Sequence, residues 1–198
     1  ALGFDLLNVA PWLAKVVATK NDLDFYEVMV SYVASLNDAH DSYQLPSNFT
    51  ARLNFGVDLY DAKLLVDTIN RSRLPAAEFP FLNGYELVSI DGQDAQKILD
   101  GLLQYQIAAN PRSTRRLAAS LLTNRFQAIM PHAADVPEIS TVLFRRPDGG
   151  LEAYRIPWTK AGLPLTSVGR YITPRLDAPA RRRSAARTGD EPEPDPDA

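Results

Sequence analysis

His40 and His132 are the only histidines in a chain of 198 residues that contains no cysteine. The missing thiols exclude disulfide frameworks, zinc ribbons, iron–sulfur ligation and a thiol nucleophile. Neither histidine has a second one three or four positions away, the spacing that sets two metal ligands on one helix face. The aspartates beside His40, Asp38 and Asp41, lack the glycine and the spaced acids of a calcium loop. No metal and no cofactor are therefore expected. His40 itself can act as a general base, because imidazole titrates nearest neutrality of all side chains. The competing role for an imidazole near a helix end is to bond free carbonyls and to lie favourably on the helix dipole. Ser42 and Asp38 flank it on the same short segment, too close for a triad, whose members meet from separate parts of a fold. There is no Gly-x-Gly-x-x-Gly, no Gly-Lys-Ser/Thr loop and no Gly-x-Ser-x-Gly elbow, so nucleotide binding and an α/β-hydrolase site have no support.

The elements that must hold these residues follow from periodicity. Ahead of His40, the residues Phe25, Val28, Met29, Tyr32, Val33 and Leu36 fall on one helical stripe, with Asp24-Phe-Tyr-Glu27 in the form of a capping box and an end near Asn37-Asp38. A shorter helix over 11–19 precedes it, with Pro11 in the first turn. After Pro46 the period shortens to that of strands. Residues 55–60 and 64–69 read as a hairpin turning at 61–63, and 86–90 as a third strand closed by Asp91-Gly92. A helix over 94–103 carries Ala95, Ile98, Leu99 and Leu102 on one face, and another opens at Asn110-Pro111 and runs toward Met130. Residues 139–144 and 151–156 flank a glycine-rich connection, a second hairpin. The fold class expected is α+β.

Composition sets the outer limits. Hydrophobic residues are 45% and charged residues 23%, which excludes wholesale disorder, and no apolar run approaches the roughly 18 residues of a membrane span. A net charge of −3 argues against the concentrated basic surface that nucleic acid requires. Ala1 stands where an initiator methionine would, so a processed chain or a fragment is expected. No aromatic or large aliphatic residue follows Leu176, and Arg181-Arg-Arg183 gives way to an acidic, proline-rich end. Such a stretch cannot offset its ordering entropy, so a disordered tail is expected.

Two motifs, taken in order, resemble a known family. Leu36-Asn-Asp-Ala-His40 resembles the Leu-x-Asp-Gly-His-Thr segment ahead of the PDZ domain in the tail-specific, C-terminal-processing and tricorn-like serine peptidases. Phe55-Gly-Val-Asp-Leu59, Lys63-Leu-Leu-Val-Asp-Thr-Ile69, Arg73-Leu-Pro-Ala-Ala77 and Asn83-Gly-Tyr-Glu-Leu-Val-Ser-Ile-Asp-Gly92 resemble the succession of loop, strand, loop and "Ile-Asp-Gly" turn in those PDZ domains. The sequence departs from the pattern at Ala39, Asp41, Tyr85-Glu86 and in the loop Asn54-Phe-Gly-Val57.

The resemblance implies a helical segment over 1–48, a PDZ-like domain over 49–165 with a helical insertion at about 104–138, and a linker and tail over 166–198. It implies a peptide-binding front portion of a serine endopeptidase, secreted or periplasmic, that presents protein C-terminal segments to a catalytic domain elsewhere in a longer chain. In that reading Gly56, Val57 and Leu59 offer backbone partners to an added peptide strand, Phe55, Ile98 and Leu102 shape an apolar pocket, and His40 is the candidate general base for a nucleophile this chain lacks. Phe55, Ile98 and Leu102 are each also ordinary core candidates, and for Ile98 and Leu102 the core is the favoured role. The chain alone is expected to be inactive. The alternatives are a stand-alone PDZ-like interaction module and, behind it, a small intact enzyme using His40 with one of the serines.

Overall fold

The structure, a computed structural model, describes residues 8–108 and 110–167. The tail expected after residue 166 lies outside them from residue 168 on. Two helices come first, α1 (Ala10–Val17) and α2 (Asp22–Ser35), followed by β1 (Thr50–Arg52), β2 (Phe55–Tyr60), β3 (Lys63–Ile69), β4 (Glu86–Ile90) and β5 (Gln93–Asp94). Then come α3 (Ala95–Leu102), α4 (Pro111–Ala119), β6 (Asn124–Phe126), β7 (Ile139–Arg145), β8 (Leu151–Pro157) and β9 (Thr159–Ala161). The class is α+β: N-terminal helices, then a β-domain with helices inserted in it.

The amphipathic stripe forms α2 as expected, but its cap sits earlier than the sequence pattern suggests. Asn21 is the N-cap and accepts from the Asp24 N–H at 2.9 Å, while the Asp24 carboxylate accepts from the Lys20 N–H at 3.2 Å and from Asn21 Nδ2 at 3.0 Å. Asp24 is therefore the reciprocal member of the box, not its first residue. Glu27 is freed for another task. It accepts from the Tyr105 hydroxyl and from Gln104 Nε2, and Gln104 in turn accepts from Ser31 Oγ at 2.6 Å. This polar cluster ties α2 to the 3₁₀ turn Leu103–Tyr105, and burial, reinforced by the Glu27 carboxylate, pushes the Tyr105 phenol up. Beyond Ser35 the chain breaks at Asn37, whose φ of 54° ends the helix.

Strands β2 to β4 form where the period-2 pattern places them. The β2–β3 connection is only Asp61-Ala62, both at positive φ (46° and 66°), the backbone twist of a type I′ turn, so Lys63 belongs to β3 rather than to the turn. Asp91 and Gly92 repeat that geometry between β4 and β5. Asp91 also anchors its surroundings: it accepts from Ser140 Oγ and the Thr141 N–H, each at 2.7 Å, and Ser140 accepts from the buried Trp158 Nε1 at 2.7 Å. The main sheet has the order β2-β3-β4-β7-β8, with β5 paired to β4, and all its pairings are antiparallel.

One expectation fails. The helix opening at Asn110-Pro111 does not run toward Met130: α4 stops at Ala119, a 3₁₀ turn Ser120–Leu122 follows, and Asn124–Phe126 is the strand β6. It pairs with β1, which also pairs with β9, in a small second sheet of order β6-β1-β9. The apolar residues that suggested a long helix are still used, since Leu121 and Leu122 are fully buried and Phe126 and Ile129 pack on the core, but they reach it from three different backbone conformations. After β9 the chain turns at Gly162, where φ is 78° and a Cβ would stand 2.6 Å from the Asn48 carbonyl oxygen, a place only glycine can occupy.

The core is one cluster. Its centre is aromatic, with Phe81 stacked on Phe144 at 4.6 Å between ring centroids and Phe55 edge-on to both at 5.6 and 5.4 Å. Ala95, Leu99 and Leu102 close it from α3. Arg71 spans the irregular stretch between β3 and β4, donating to the carbonyls of Phe79 and Phe81, and so seats Phe81 in the cluster.

Candidate functional site

Strand β2 lies at the edge of the main sheet, paired to β3 alone among the described strands. The hydrogen-bond alternation of an antiparallel pair decides which of its groups face outward. Val66, opposite Val57, donates to the Tyr85 carbonyl and accepts from the Gly84 N–H, each at 2.8 Å, so its polar groups point to the far side of β3. Val57 therefore makes no ladder bond to it, and two residues on, Leu59 has the same parity. Both direct N–H and C=O to the open edge, while the Val57 side chain is buried and that of Leu59 packs on the core.

Alongside that edge runs α4. Arg116 on α4 grips Asp58 on β2 through a two-pronged contact, Nε at 3.0 and 2.9 Å from the two carboxylate oxygens and Nη2 at 2.6 Å from Oδ2. Asp58 Oδ1 also accepts the Leu59 N–H at 2.7 Å. The Arg116 guanidinium, helped by this backbone bond and opposed by burial, holds the Asp58 carboxyl below its ordinary range. The pairing is complete at neutral pH, and what it adds to stability is lost as the pH falls through that lowered value.

A groove follows β2 and α4. One cavity of about 640 Å³ is walled by Gly56, Val57 and Asp58 on the strand side and by Leu117 and Ser120 on the helix side. A second, of about 510 Å³, is walled by Leu59, Asp61 and Ala62 facing Arg112 and Arg115. Ser113 and Arg116 belong to both walls, so the Asp58–Arg116 bridge crosses the groove where the two cavities meet. Arg115 is engaged by Asp100 and by Gln96 Oε1; Arg112 is exposed and has no ion pair among the described residues.

Of the residues singled out by sequence, Gly56, Val57 and Leu59 come together along this groove, with Gly56 in its wall. Phe55 is buried in the aromatic cluster. Ile98 and Leu102 sit on α3, which packs on α4, β4 and β5, and both are part of the core or packed against it; the helix beside β2 is α4. His40 lies elsewhere, exposed in the turn after α2, where its N–H donates to Asp38 Oδ1 at 2.9 Å and its ring makes no hydrogen bond among the described residues. His132 stands 3.2 Å from carboxylates of both Asp24 and Asp135.

Sequence reasoning did not find Asp58 and Arg116 as a pair. Both were visible, Asp58 as the one acid in an apolar strand and Arg116 in an arginine pair on a helix, but nothing in their spacing announces that strand and helix meet.

Known proteins share this fold. A family model described as a PDZ domain matches residues 49–164. Among solved structures, mature CPAF complexed with lactacystin superimposes with a TM-score of 0.64 at 22% identity, covering 81% of this chain and 30% of that one. Mature CPAF gives 0.65 at 22%, with the same coverage. A serine-to-alanine mutant of CPAF gives 0.65 at 22%, covering 93% of this chain and 34% of that one. The chain thus spans about a third of the length of the CPAF structures it matches, and at this identity the likeness is one of fold. No curated protein sequence matches the chain.

Proposed function

The chain belongs to the PDZ domain family, and from that premise we propose that it binds an extended peptide as an added strand on the open edge of β2, across the groove to α4. The observation that carries this reading is the outward direction of the Val57 and Leu59 backbone groups on an unpaired edge, since added strands draw affinity from such main-chain bonds and specificity from neighbouring side chains. The apolar wall from Val57 and Leu117 offers the pocket such a strand needs. In titrations of free-acid peptide pools against the described domain, we expect binding in the micromolar range with amide shifts at Val57 and Leu59. No binding at millimolar peptide, or shifts confined to other surfaces, overturns it.

The finer reading is a non-catalytic front portion of a serine endopeptidase of the tail-specific, C-terminal-processing or tricorn-like kind, with a helical segment over 1–48, the PDZ-like domain over 49–165 and a linker beyond. Its peptide is handed to a catalytic domain in a longer chain, in a secreted or periplasmic setting. Support comes from the CPAF likeness, which covers 81% to 93% of this chain, more than the PDZ family model matches. This reading takes His40, exposed on the turn after α2 with no ring hydrogen bond among the described residues, as a base that a serine from such a domain could approach. In a longer chain that carries that domain, His40→Ala is expected to abolish peptide hydrolysis; full activity in the variant removes the base assignment and leaves peptide binding untouched.

A further inference from the structure

Building on the peptide reading, we propose that Arg116 selects ligands carrying an acidic side chain near, but not at, the peptide terminus, and that Asp58 occupies this arginine until the ligand arrives. Two observations carry it. The first is what Asp58 does in the free domain. Its carboxylate takes the Leu59 N–H, one of the outward donors an added strand would use, and at the same time fills the Arg116 fork. It therefore performs both bonds of an incoming strand, a backbone acceptance and a charge-assisted contact, and it bars the groove at its midpoint. A strand cannot bond Leu59 without moving Asp58 off that N–H.

The second observation is position and charge. Arg116 stands level with Asp58, halfway along β2 (Phe55–Tyr60), so it faces the middle of an added strand rather than its end. The residue of that strand directly opposite Asp58 projects its side chain to the same face of the sheet, with Cβ atoms about 4.5–5.5 Å apart. That face is where the guanidinium lies. Two carboxylates side by side repel, so an acidic ligand residue is favoured through the helix wall alone, where Arg112 stands one turn before Arg116 and has no ion pair among the described residues: the two arginines together meet the ligand's carboxylate and Asp58. Displacement frees Arg116 for the ligand's carboxylate, whereas a neutral strand must break the Asp58–Arg116 contact without replacing it and so binds more weakly.

The test uses fluorescein-labelled, alanine-rich decapeptide pools with a free C-terminus and an apolar last residue, in which a single Glu or Gln is walked through the last five positions. Wild-type chain is expected to prefer Glu over Gln at one internal position by about three- to fivefold, the upper part of the range for a solvent-exposed ion pair. Asp58→Asn widens that preference and tightens binding overall, because Arg116 is released. Arg116→Gln removes the preference while both peptides still bind with amide shifts at Val57 and Leu59. An unchanged Glu-to-Gln ratio in all three proteins, with those shifts present, overturns the selection by Arg116 and leaves the strand-addition reading standing. Absence of binding and of shifts in every variant overturns the strand-addition reading and this inference with it.

Discussion

Phe144→Ala is expected to lower the free energy of unfolding by about 3–5 kcal/mol, the cost of deleting a fully buried aromatic ring and leaving a cavity that its neighbours only partly refill. Phe144 has no exposed surface and touches Phe81, Phe55 and Tyr154 at once. It sits on β7 opposite Leu87 of β4 and Glu152 of β8, so its ring closes the centre of the main sheet. The effect reaches the groove, because Phe55 begins β2 and is held in place by the same cluster. Urea unfolding followed by circular dichroism measures the loss, and peptide binding should weaken in the fraction that remains folded. A cost under about 1 kcal/mol would mean that the cluster is not the centre of the core.

Gln127→Ala is expected to cost about 2–4 kcal/mol, although the residue is polar and its removal relieves no clash. The side chain is fully buried and joins three separate stretches of chain. Its Nε2 donates to the carbonyls of Pro131 at 3.1 Å and Leu165 at 2.7 Å, and its Oε1 accepts from Ser47 Oγ at 2.8 Å and from the Leu165 N–H at 2.7 Å. Truncation strands those partners, and an unmet buried polar group costs about 1–3 kcal/mol. Gln127→Glu is the informative companion: it keeps both acceptor bonds but turns an oxygen toward two carbonyls, so it should fare no better. Amide exchange at Leu165 should quicken in both variants. Slow exchange there together with unaltered unfolding would show that the segment after β9 is held by something else.

Much of the chain's local structure is legible in the residues themselves. The stripe from Phe25 to Leu36 writes α2, and alternation writes β2, β3 and β4. The turn Asp91-Gly92 closes where its residues tolerate positive φ, whereas Asp61-Ala62 makes the same turn with an alanine at positive φ. These features depend on interactions between near neighbours, which a sequence displays directly. The three-residue strands β1, β6 and β9 are of another kind. None has enough residues to persist alone, and each exists because the others lie beside it. For the same reason the expected helix toward Met130 breaks: its apolar spacing satisfied a helical period, yet pairing Asn124–Phe126 with β1 buries the same side chains and gives an otherwise bare strand its partner. Asn21 shows a smaller case, where two caps competed and the upstream one formed.

The candidate site divides along the same line. By itself the sequence determined that Gly56, Val57 and Leu59 lie on one strand, because that strand is defined by its own alternation and its own turn, and the resemblance of its motifs implied a PDZ-like domain around it. Only the tertiary structure decided that this strand is an edge, that α4 and not α3 runs beside it, and that Asp58 and Arg116 bar the groove between them. Those facts are distances between elements remote in sequence. They are set by how the apolar faces of several elements share one core, a many-body outcome that no spacing along the chain encodes.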